Sequence, residues 1–71
     1  MEHTAPPSAA RTGPEMHAAR SAARLTQAEL ARALTRSRWW LRRRERAEVV
    51  SAEDAAAITE AIGALGRHAD Q

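Results

Sequence analysis

The chain has 71 residues, with eleven Arg, no Lys and no Phe, Tyr or Cys. That length allows one small domain, the lack of Cys excludes a disulfide framework and points to a cytoplasmic protein, and no apolar run suits a bilayer span or the centre of a signal peptide. The net charge of +2 hides an asymmetry: Arg32, Arg36, Arg38, Arg42, Arg43, Arg44 and Arg46 crowd one segment against Glu45 alone, while acids outnumber bases eight to four elsewhere.

Residues 1–13 hold Pro6, Pro7, Gly13 and small polar residues with almost nothing to bury, so they read as a disordered arm. Pro14 suits the first turn of a helix, and Thr12 with Glu15 has the spacing of a capping box. A first helix is expected over 14–24, with Met16, Ala19, Ala23 and Ala22 inward. Thr26 and Glu29 form a second capping box, and Leu25 with Leu30 makes the hydrophobic staple. The helix they open buries Leu30, Ala31 and Leu34 and ends near Thr35. A third helix, 37–46, is capped by Ser37. Ser51 opens the last helix, with Glu53 and Asp54 in the turn where the helix dipole favours acids. Ala55, Ile58, Ile62 and Leu65 supply its apolar stripe, Gly66 its C-cap, and 67–71 a frayed tail. No strand pattern occurs, so the expected fold is all-α with four helices in one domain, 14–66.

The third helix carries the functional question. At about 100° per residue, Ser37, Trp40, Leu41 and Arg44 fall on one side, and Arg38, Trp39, Arg42, Arg43 and Arg46 on the other. Leu41 is the only aliphatic residue there and must be buried. Trp40 is then expected at the rim of the core, toward Ile58 and Ile62. Trp39 stands outward, in cation–π contact with Arg42 or Arg43, in contact with a ligand, or both. The arginine block reads either as a solvated face or as the footprint of a phosphate-rich partner.

Residues 25–65, LTQAELARALTRSRWWLRRRERAEVVSAEDAAAITEAIGAL, resemble the helix-turn-helix domain of phage repressors and Cro proteins, the XRE-like family. LTQAELA matches the capped opening of the family's second helix, and Ala31 the small residue where the two motif helices cross. Leu34 and Leu41 match its apolar crossing positions, Ser37 the start of its recognition helix, and Glu45 the acid at that helix's end. The chain departs from the pattern at Thr35 and Ala47, where Gly is usual, and at Arg36 and Arg44, where apolar residues are usual.

The resemblance implies a lambda-repressor-like four-helix domain that binds double-stranded operator DNA, with two copies on a palindromic site, and regulates transcription as a small repressor or Cro-type protein in a bacterial cell. It places Arg38, Trp39, Arg42 and Arg43 on base edges in the major groove. It places Gln27, Arg32, Arg36, Ser37 and Arg46 on the DNA backbone. Arg44 turns toward the core rim, where Glu48 or Glu45 is its expected partner.

Two other readings share the pattern. A phage excisionase is small and Arg-rich but adds a β-wing, for which AEVV is too short. A protein-binding helix-turn-helix, an antirepressor or antitoxin partner, differs in the salt dependence of its complex. An enzyme is not expected: His3, His17 and His68 are scattered, and no Gly-rich phosphate loop or metal-ligand spacing occurs. No cofactor, metal, membrane or small-molecule substrate is implied.

Overall fold

The computed structural model describes residues 11–66. They form four helices: α1, Gly13–Ala22; α2, Gln27–Leu34; α3, Arg38–Glu45; and α4, Ala52–Leu65. Among the described residues there is no strand; a single antiparallel bridge joins Arg11 to Val50. Residues 1–10 of the expected arm and the expected frayed tail lie outside the described residues.

All four starts are capped by side chains, which satisfies amide donors that a helix cannot satisfy itself. Thr12 and Thr26 accept from the amides of Glu15 and Glu29, whose carboxylates reach back to the Thr12 and Thr26 amides. Ser37 and Ser51 accept from the amides of Trp40 and Asp54 at 3.0 and 3.2 Å.

Two helices end on left-handed residues. After α1, Arg24 takes φ 62°, with Leu25 N donating to Arg20 O and Arg24 N to Ser21 O. After α2, Thr35 takes φ 58°, with Arg36 N donating to Ala31 O and Thr35 N to Arg32 O. Both are Schellman motifs, which normally place Gly at the left-handed position. The first ends α1 at Ala22 rather than at the expected Arg24. Gly66 caps α4 as expected, but with φ −51°, so it is not left-handed.

Met16, Leu30, Ala31, Leu41, Val50, Ala55 and Ile58 form the core, flanked by Leu34, Trp40, Ala61 and Ile62. Helix α2 packs on α3 and α4, and α1 packs on the same two helices from its own side. Leu30, Leu41 and Ile58 are fully buried, each stabilising the fold by about 1.5–3 kcal/mol. On α1, Ala22 is exposed rather than inward, and Arg20 is buried in its place.

The boundary expected at residue 13 also shifts. Arg11 and Val50 exchange both backbone hydrogen bonds, Gly13 N donates to Ala47 O at 3.0 Å, and Gly13 is buried at the start of α1. A Cβ on Gly13 would fall 2.6 Å from Glu45 O, 2.7 Å from Arg44 O and closer still to Ala47 O. The start of α1 is thus stitched to the segment after α3, and only Gly allows so close an approach.

Candidate nucleic-acid interface

The starts of α2 and α3 converge on one open groove of about 660 Å³. Leu25, Thr26, Gln27 and Ala28 line it from the α2 side, Arg38, Trp39 and Arg42 from the α3 side, and Arg20 from α1. Leu25 is buried there, and Leu41, inward on α3, turns Trp39 out to 63% exposure. Three of the four residues assigned to base edges therefore share this groove. The fourth, Arg43, is exposed on α3 but is not part of the groove lining.

The residues assigned to the DNA backbone divide further. Gln27 lines the groove half-buried, and its side-chain amide donates to Glu45 Oε1 at 3.1 Å. The Ser37 hydroxyl accepts from Trp40 N as the cap of α3. Arg32 is exposed on α2, one turn after Ala28, and Arg46 is exposed just past α3. Arg36 lies apart from the groove, with its guanidinium 4.8 Å from the Trp40 ring centroid.

Two expected partnerships are replaced by others. The cation–π contact expected at Trp39 forms at Trp40, which Arg36 and Arg44 both approach, at 4.8 and 4.7 Å. The half-buried Trp40 ring is fixed against the core and spaced four residues from each arginine, whereas Trp39 has no such support. Arg44 pairs with neither Glu48 nor Glu45; its Nε donates to Asp54 Oδ2 at 2.9 Å, because the flank of α3 that carries it faces the start of α4.

Sequence reasoning missed the buried polar cluster beneath the groove. Arg20 Nε donates to Glu45 Oε2 at 2.6 Å, Arg20 Nη2 to Glu45 Oε1 at 3.0 Å, and Arg20 Nη1 to the Leu25 carbonyl at 2.9 Å. His17 Nδ1 stands 3.3 Å from both Glu45 Oε1 and Arg20 Nη2. Burial alone raises the pKa of Glu45. The hydrogen bonds from Arg20 and Gln27, the Arg20 charge and the contact with His17 outweigh it, so the carboxyl titrates below its ordinary value.

This cluster also shapes the surface charge. The single acid between residues 32 and 46 is turned inward and neutralised by Arg20, and Asp54 compensates Arg44. Arg32, Arg36, Arg38, Arg42, Arg43 and Arg46 are left exposed, with no ion pair to any described residue. Clustered guanidiniums of this kind attract polyanions and offer paired donors to phosphate or guanine.

Among the described residues no group of His, Cys, Asp and Glu is placed to hold a metal ion, and no helix is long and apolar enough to cross a membrane. No protein-family model matches the chain, and neither the curated proteins nor the solved structures contain a match to it.

Proposed function

We propose that the protein is a sequence-specific, double-stranded-DNA-binding transcriptional regulator of the phage repressor and Cro type. In this reading α2, the turn over 35–37 and α3 make a helix-turn-helix, and α3 enters the major groove as the recognition helix. Binding to an operator occludes a promoter, with two copies on a palindromic site. The observation that carries the reading is the arginine-lined groove at the joint starts of α2 and α3, with Arg38, Trp39 and Arg42 on its α3 wall. Side chains on the first turns of a recognition helix are the ones that reach base edges. Arg38, Arg42 and Arg43 match guanine O6 and N7 through paired donors. Arg32 and Arg46 flank them and suit phosphates.

The segment between α3 and α4 supports this reading over an excisionase, since residues 46–51 contain no hairpin. A purely protein-binding role is less well supported: six exposed arginines with no ion pair to a described residue are costly to desolvate together in a dry interface.

The test is site selection from random duplex DNA, followed by substitution. Arg38→Ala and Arg43→Ala should each lower the preference for the selected site over random DNA by about 1–3 kcal/mol. Arg32→Ala should weaken both alike. Equal losses on every sequence for all three variants would remove α3 from the base-reading role.

A further inference from the structure

The flank of α3 away from the groove carries a second organised feature. Arg36, Trp40 and Arg44 recur at four-residue intervals, and both guanidiniums lie under 5 Å from the Trp40 ring centroid, at 4.8 and 4.7 Å. Arg44 is held from its other side by the 2.9 Å ion pair with Asp54, in the first turn of α4. Trp40 is half-buried against the core. A continuous set of contacts therefore runs from α4 through Arg44 and Trp40 to Arg36. Arg36 is the exposed end of that set, and its guanidinium makes no ion pair with a described residue.

The order matters because a free arginine loses considerable rotamer freedom when it binds a ligand. In Arg36 the stack on Trp40 removes part of that freedom before any ligand arrives. The position matters as well. At about 100° per residue, Trp40 stands about 200° round α3 from both Arg38 and Arg42, and Arg44 about 240° from Arg38 and about 200° from Arg42. A major groove is about 12 Å wide, and a helix with its side chains is roughly 10–12 Å across. A helix seated there has a phosphate ribbon on each flank, and Arg36, exposed in the turn before the Ser37 cap rather than on α3 itself, lies where the chain would pass a ribbon to enter the groove.

We infer that the Arg36–Trp40–Arg44 stack is a preset phosphate clamp, in which Arg36 donates to a backbone phosphodiester on the α4 side of α3. Trp40 and Arg44 are positioning residues: the indole holds the Arg36 guanidinium in place, and the Asp54-tethered Arg44 holds the indole. Asp54 already occupies Arg44, which leaves Arg36 as the donor to phosphate. The ligand is the phosphodiester and not a base, so the contact is blind to sequence. This inference rests on the DNA-binding reading above.

The experiment measures the affinity of the full chain for its selected duplex and for a random duplex across a range of salt concentrations. Arg36→Ala should make the log–log salt slope shallower by about 0.9, the value for one phosphate, and weaken both duplexes by the same factor. Trp40→Leu should weaken binding in the same sequence-blind way, Trp40→Phe should restore much of the loss, and Trp40→Leu should add little once Arg36 is already Ala. Thermal melts establish that the Trp40 variants are folded. Arg36 is exposed, so Arg36→Ala carries the test if they are not. An unchanged slope in Arg36→Ala, or losses in Arg36→Ala and Trp40→Leu that simply multiply, overturns the clamp while leaving duplex binding intact. Failure of the unsubstituted protein to bind duplex DNA overturns the underlying reading instead.

Discussion

Replacing Glu45 by Ala removes the acceptor for Arg20 Nε at 2.6 Å, Arg20 Nη2 at 3.0 Å and the Gln27 amide at 3.1 Å. The Arg20 side chain is only 11% exposed, and without Glu45 it keeps the Leu25 carbonyl at 2.9 Å and a 3.3 Å contact with His17 Nδ1. Stranding one partner of a buried pair costs about 3–5 kcal/mol. A core in a chain of this size rarely supplies more than about 3–5 kcal/mol in total. Glu45→Ala should therefore be largely unfolded at 25 °C. Replacing both partners together, Arg20→Met with Glu45→Leu, should recover most of the loss, because the desolvation penalty disappears with the charges. Urea denaturation followed by circular dichroism and by tryptophan emission measures both variants. The depressed folded pKa of Glu45 fixes the sign of the pH dependence: its contribution is present above the ordinary glutamate pKa and is lost as pH falls through the lower folded value. The stability difference between the natural protein and Glu45→Gln should accordingly shrink in acid. A Glu45→Ala protein within about 1 kcal/mol of the original, well inside the cost expected for a broken buried pair, would refute the reasoning.

Three other substitutions test local features. Thr35→Gly relieves a β-branched residue of a left-handed backbone that costs about 1–2 kcal/mol, against roughly 0.5–1 kcal/mol for the freedom of Gly in the unfolded chain. The melting temperature should rise by a few degrees, and a fall would show that the Thr35 side chain stabilises the turn. Gly13→Ala places a methyl group against three carbonyl oxygens and should cost about 1–3 kcal/mol; a neutral melt would contradict the close approach of α1 to the end of α3. Trp39→Ala should leave the melt nearly unchanged while weakening DNA binding. A soluble quencher should reach Trp39 before Trp40, and the reverse order would mean that α3 is rotated by about one residue, 100°.

The helices were legible in the sequence because their starts are local signals. Thr12 with Glu15, Thr26 with Glu29, and the serines at 37 and 51 each cap within three residues. The burial of Leu41, the rim position of Trp40 and the exposure of Trp39 followed from one helical wheel. The ends were less legible: Arg24 and Thr35 occupy left-handed positions without the Gly that usually marks them. Gly13 looked like part of an arm because its constraint comes from residues more than thirty positions away. The Arg20–Glu45 pair spans 25 positions, and nothing in the local pattern around Arg20 separates it from its solvated neighbours. The Arg36–Trp40–Arg44 spacing was visible. Yet the sequence offers Trp39 arginines at the third and fourth positions beyond it as well, and only the packing of Trp40 against the core selects between the two rings.

The central claim, that the exposed arginine face engages the backbone and bases of duplex DNA, is tested most directly by the salt dependence of binding to the selected duplex. Contact with roughly four to six phosphates predicts a log–log slope of about −4 to −5 per protein chain. A flat dependence, or no duplex binding at low salt, would contradict it.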